Sequence, residues 1–223
     1  DLHSFPTRRS SDLMAVLYIH IPFCKSRCTY CAFYSTTALA MRQRYVDAVC
    51  RETTQRMRGD ISTVYIGGGT PSQLTASQLM QIAGLLPRTE EFTIEANPDD
   101  VTEEFAALLP QMGINRVSMG AQSFSNQRLK MIGRRHNAEQ VARAVEILRR
   151  TGTDNISIDL MYGFQGETID DWEYDIGKAI QLKPRHLSAY CLTVEEGTVM
   201  YEEIRKKGGE TNNDAAEELE REM

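Results

Sequence analysis

Six short β-branched runs, each followed by helical periodicity, constrain this chain more than any other feature. The runs fall at residues 16–19, 63–66, 92–95, 116–119, 155–160 and 186–192. Between them apolar residues recur at i, i+3, i+4 and i+7. Leu79, Ile82, Ala83 and Leu86 make one such stripe, and Val141, Ala144, Val145 and Leu148 another. Trp172, Ile176, Ala179 and Ile180 make a third, in a helix begun near Thr168. Thr75 with Gln78 three residues on forms a capping box. Thr102 ahead of Glu103 and Glu104 places acids at the positive end of a further helix. Strands joined by helices pair in parallel through right-handed crossovers. The expected class is therefore α/β. A closed eight-unit barrel takes about 250 residues, so the roughly 210 from Met14 onward suit an open, six-unit partial (β/α) barrel. Functional residues of such a sheet belong at strand C-terminal ends and in the loops that follow.

The two ends read differently from the middle. Residues 1–13, with Phe5-Pro6-Thr7-Arg8-Arg9-Ser10-Ser11-Asp12-Leu13, look like a translated sequencing-library adapter and are expected to lie outside the fold. Arg8-Arg9 is no twin-arginine signal, since no apolar segment of signal type follows it. Composition shifts again at Lys206-Lys207-Gly208-Gly209, before an acidic stretch from Asp214 to Met223 that looks like a helix cut in mid-course. The expected organisation is a non-native leader over 1–13, a barrel over 14–200 and the start of a truncated C-terminal region over 201–223. With 41% hydrophobic residues the barrel can build a sizeable core. No stretch reaches the roughly 18 apolar residues of a membrane span. A net charge of -6 without a large Lys/Arg cluster argues against a nucleic-acid partner. Five cysteines, three of them clustered, fit a reducing compartment better than a disulfide scaffold. Cys50 and Cys191, in helix-like and strand-like contexts, are expected to be small buried hydrophobes.

The clustered three, Cys24, Cys28 and Cys31, form a C-x3-C-x2-C triplet directly after the first strand. A structural zinc site wants four ligands, and a simple ferredoxin cluster four cysteines. Here Phe33 stands where a nearby fourth might have been. Three soft ligands on one tight loop suit a [4Fe-4S] cluster with one iron left open. After the second strand comes Gly67-Gly68-Gly69-Thr70-Pro71, not a dinucleotide fingerprint but a place where backbone can approach a ligand closely. Glu95, Gln122, Arg134 and Asp159 fall at or just beyond strand ends. A charged residue there is rarely buried without a partner. Glu95 and Asp159 either pair with a barrel arginine such as Arg116 or accept ribose hydroxyls, and Arg134 would then pair bidentately with a ligand carboxylate. His20 is expected to pack or hydrogen-bond beside the cysteine loop.

The triplet with its following aromatic resembles the radical S-adenosylmethionine (SAM) superfamily. More specifically, Tyr18-Ile-His-Ile-Pro-Phe-Cys24, Ile66-Gly-Gly-Gly-Thr-Pro71, Glu95-Ala-Asn-Pro98, Gly120-Ala-Gln-Ser-Phe124 and Asp159-Leu-Met-Tyr-Gly-Phe164 resemble one of its families. That family comprises the oxygen-independent coproporphyrinogen III oxidases and the related HemW-type haem chaperones. The resemblance implies that Cys24, Cys28 and Cys31 hold the cluster. It implies that Tyr18, Gly68, Gly69, Thr70, Glu95, Gln122, Arg134 and Asp159 contact SAM, with Tyr30 near the adenine. True coproporphyrinogen oxidases carry a fourth cysteine two residues after the third. Phe33 there, with Leu187-Ser-Ala-Tyr190 and Leu192-Thr-Val-Glu-Glu-Gly-Thr198, resembles the chaperone branch. The implied function is a cytoplasmic haem chaperone that keeps a cluster and SAM and passes haem to acceptor proteins. An electron donor for the cluster and peripheral membrane contact through the acceptors are implied with it. The alternative is oxygen-independent oxidative decarboxylation of coproporphyrinogen III.

Overall fold

The computed structural model describes residues 15–207. Six strands form one parallel sheet in chain order: β1 Ala15–Ile21, β2 Ile61–Gly68, β3 Glu91–Ala96, β4 Arg116–Gln122, β5 Ile156–Tyr162 and β6 His186–Cys191. All six expected runs fall on strands, with only Asn155 and Leu192 just outside them, and β6 does not pair back onto β1, so the barrel is open. The crossovers carry α1 Arg42–Arg56, α2 Ala76–Ala83, α3 Glu103–Leu108, α4 Asn126–Met131, α5 Ala138–Arg150 and α6 Ile169–Gln181; α7 Val199–Lys206 follows β6. The leader and the acidic stretch from Asp214 lie outside the described residues.

Alternation divides each strand between two faces. Val64, Ile66, Ile94, Val117, Met119, Ile156 and Ile158 are fully enclosed between sheet and helices. Truncating one of them, as in Ile94→Ala, would cost about 2–5 kcal/mol through lost contact and the cavity left behind. The expected stripes of α2 and α5 are buried there too, with Leu86 packed just beyond the end of α2. The capping box at Thr75 and the cap at Thr102 are both made.

The stripe on α6 needs correction. Trp172 and Ala179 are buried, but Ile180 is 58% exposed and Asp175 is fully buried instead. Cys50 and Cys191 lie on a helix and a strand as expected, yet both are only half-buried.

Candidate functional site

The opposite face of the sheet is polar, and the parallel register sets its residues in rows. Glu95 stands beside Ser118, Ser118 beside Ser157, and Ser157 beside His186. Two residues further along the strands, Gly120 stands beside Asp159 and Asp159 beside Ser188. Between these rows and the cysteine loop lies a pocket of about 410 Å³, within the usual span of small-molecule sites.

The cysteine loop leaves the end of β1 and is fastened at several points. Cys24 N–H donates to the Thr36 carbonyl (2.9 Å) and Thr36 N–H to that of Pro22 (2.7 Å). Thr29 N–H donates to the Ile132 carbonyl (3.1 Å), and Met200 N–H to that of Thr29 (2.8 Å). All three cysteines line the pocket. Cys24 Sγ accepts from the Thr70 hydroxyl (3.5 Å) and Cys28 Sγ from the Arg134 guanidinium (3.6 Å). Burial pushes the Cys31 thiol up; a backbone bond at Phe33 opposes this, and the charges of Cys28 and Cys24 add to it. The three cysteines converge on one pocket, where as thiolates they would be soft ligands for iron. Among the described residues no three His, Cys, Asp or Glu side chains come close enough to hold a single metal ion. A cluster does not require that, because each thiolate takes its own iron. The donor set fits a cluster. Phe33 is 71% exposed at the rim.

Gly68 and Gly69 line the pocket, and their protein neighbours by themselves already demand glycine. A β-carbon at Gly67 would stand 2.8 Å from Glu95 Oε1, and one at Gly69 3.0 Å from Cys24 Sγ. At Gly68 it would stand 2.7 Å from the His20 ring, on a backbone at φ +118°. The glycines seat the end of β2 against β3 and the cysteine loop, and Gly69 N–H donates to the Ile21 carbonyl (2.8 Å).

Glu95 accepts from the Tyr65 hydroxyl (2.8 Å) and from Gly68 N–H (2.9 Å). Burial pushes its carboxyl up, and those two bonds oppose it. Asp159 accepts from the Ser118 hydroxyl (3.2 Å). Its carboxyl is likewise raised by burial, against the Ser118 bond and the charges of Arg116 and His186. Neither is ion-paired to Arg116, which bonds Thr93 (3.2 Å) and stands 4.0 Å from Glu91. Arg134 donates to Asn97 Oδ1 (2.7 Å) and the Gly120 carbonyl, and its buried Nε–H has no partner among the described residues. Gln122 Oε1 accepts from the Tyr190 hydroxyl. Tyr30 packs on Ile132, Met161, Phe164 and Leu192, and burial pushes its hydroxyl up to about 12.

Of the expected site residues only Tyr18 lies outside the lining. Its ring stacks on Tyr65, with centroids 6.0 Å apart, and its hydroxyl is 3.1 Å from His20 Nδ1. His20 Nε2 meets the Tyr34 carbonyl (3.0 Å), a hydrogen-bonding place beside the loop as expected. Sequence reasoning missed Tyr65, Asn97, Ser118, Ser157, His186 and Tyr190, all of which line the pocket. For Ser118, Ser157, His186 and Tyr190 a signal was available, in polar residues alternating along β4, β5 and β6.

A profile of the radical SAM superfamily matches residues 18–179. The chain belongs to the radical SAM superfamily. Within it, similar curated proteins are called Heme chaperone HemW. The one from Lactococcus lactis is 38% identical over 196 residues, covering 85% of this chain and 52% of that protein. The one from Bacillus subtilis is 37% identical over 205 residues, covering 86% and 54%. Among solved radical SAM structures, coproporphyrinogen III oxidase (HemN) from Escherichia coli shares the fold. Its TM-score is 0.74 at 24% identity, over 87% of this chain and 52% of that one. The chain spans about half the length of the curated relatives it matches.

Proposed function

We propose that this chain is the cluster- and SAM-binding barrel of a HemW-type haem chaperone that hands haem to acceptor proteins. One observation carries the reading: three thiols share one pocket with the polar strand ends, while Phe33 stands exposed where a fourth cysteine would be. The HemW-type relatives support it. Cys24, Cys28 and Cys31 would hold the [4Fe-4S] cluster. Gly68, Gly69, Thr70, Glu95, Gln122, Arg134 and Asp159 would hold SAM, with Tyr30 beside it and Tyr18 acting through Tyr65. When bound, such a cluster supplies low-potential electron transfer and one open iron. The chain's own residues supply a shielded cation at Arg134 and carboxylates at Glu95 and Asp159 suited to hydroxyl groups.

Oxygen-independent decarboxylation of coproporphyrinogen III is the second reading, since an enzyme would need the same pocket; Phe33 weighs against it. Haem and its acceptors, an electron donor and membrane contact through the acceptors complete the proposal. A cytoplasmic setting is proposed with them, and no helix among the described residues is long and apolar enough to cross a membrane.

Anaerobic reconstitution tests this. Cys24→Ala, Cys28→Ala and Cys31→Ala should each lose bound iron and sulfide, while Cys50→Ala and Cys191→Ala keep them. The reconstituted protein should retain haem and form no decarboxylated porphyrinogen. Full iron and sulfide in Cys28→Ala would refute the cluster site, and decarboxylated product would favour the enzyme.

A further inference from the structure

Gln122 ends β4 in a left-handed backbone, φ +69°, which a residue with a β-carbon adopts at a cost. The register of β4 against β5 shifts there. Its amide folds back over Gly120, where a β-carbon would stand 2.7 Å from Nε2, and its Oε1 accepts from Tyr190. Ser123 N–H closes the turn on the Ala121 carbonyl (2.9 Å).

The group that holds this turn lies 52 residues downstream. Asp175, fully buried on α6, accepts from the Ser123 hydroxyl (2.6 Å) and from Phe124 N–H (2.7 Å). Arg128 stands 3.6 Å from the same carboxylate and is shared with Asp171 (2.8 Å) and Glu167 (3.7 Å). A buried carboxylate is costly unless bonded and paired. At a helix position that faces the core, an aliphatic side chain would pack without that cost. Asp175 instead spends both oxygens on the two residues that follow Gln122.

We propose that Asp175 is a positioning residue: it fixes the strained Gln122 turn and thereby aims the Gln122 amide into the SAM pocket. This rests on the reading of Gln122 as a SAM contact. The test is a thermodynamic cycle on the whole reconstituted chain, with SAM as the probe and calorimetry as the readout. Iron content and melting temperature are measured for every variant.

Gln122→Ala and Asp175→Asn should each weaken SAM binding about tenfold, the loss of one strong hydrogen bond. The double variant should bind no worse than Gln122→Ala alone. Ser123→Ala, a milder change that removes one donor to Asp175, should weaken binding in the same direction and keeps the test open if Asp175→Asn fails to fold. A merely structural Asp175 would lower the melting temperature yet leave SAM affinity unchanged, or its effect would add to that of Gln122→Ala; either result overturns the proposal. Unchanged affinity in Gln122→Ala would show instead that Gln122 is no SAM contact, and the proposal would fall with that reading.

Discussion

At Gly68 two penalties meet, a β-carbon 2.7 Å from the His20 ring and a backbone at φ +118°. Both are internal to the protein, so Gly68→Ala is expected to cost about 2 kcal/mol or more in stability before any ligand is considered. Adding His20→Ala should recover the clash but not the backbone strain. Urea unfolding separates the two, and equal losses with and without His20 would leave the backbone as the sole cause. His136 shows a different buried constraint. Its Nε2 faces the Ala121 carbonyl at 3.0 Å, which can only accept, so Nε2 carries a proton. Burial, then the charge of Arg134, pushes its pKa down to about 3, with Arg135 adding to the fall. The unfolded chain takes up a proton near the ordinary value of about 6.5, where the folded ring does not. Stability from this group is thus full above that value and falls by about 1.4 kcal/mol per pH unit as pH drops toward 3. His136→Gln should flatten the acid side of a plot of unfolding free energy against pH; an unchanged slope would assign acid sensitivity elsewhere. The cysteines, the glycines and the polar strand ends were legible as residue types in tight local patterns. Asp175 was not, because its partners Ser123 and Phe124 are remote in sequence and nothing local marks it.

Strands and helices were legible wherever one face alone faces the core. The six β-branched runs sit on a sheet packed against helices, and the structure extends most of them beyond the β-branched stretch. The stripe of α6 misled for a physical reason. Trp172 and Ala179 meet the sheet, but the same face must also receive the loop after β4, so a carboxylate takes a place that periodicity gives to an apolar residue. The start of α6 is better determined. Thr168 Oγ1 accepts from Asp171 N–H (3.3 Å), and the Asp171 side chain accepts from Thr168 N–H (3.1 Å), a reciprocal cap. Thr168→Ala should therefore cost about 1 kcal/mol. Since Asp171 also holds Arg128, Asp171→Ala should cost more than Thr168→Ala. Equal losses in chemical denaturation would mean that the cap, not the arginine pair, is what Asp171 contributes.

An open sheet leaves two edges, β1 and β6, and on β6 Ala189 and Tyr190 are exposed. Unpaired backbone groups along such an edge recruit further strands unless covered or charged. This chain should self-associate as its concentration rises, and Ala189→Lys should suppress that, as followed by sedimentation velocity. The same opening bears on haem. The pocket of about 410 Å³ lies at the cysteine loop and strand ends, and its lining includes residues from every strand except β1. If haem rests partly on protein surface outside this barrel, the chain should bind SAM as a full-length HemW-type relative does, yet hold haem about tenfold or more weakly. The comparison is with the full-length Bacillus subtilis protein, of which this chain covers 54%, both reconstituted without oxygen and titrated with haem. Ala189→Lys belongs in the same series, because an aggregate can trap haem without a site. Equal affinity in the monomeric variant and the full-length relative would place the haem on the barrel itself.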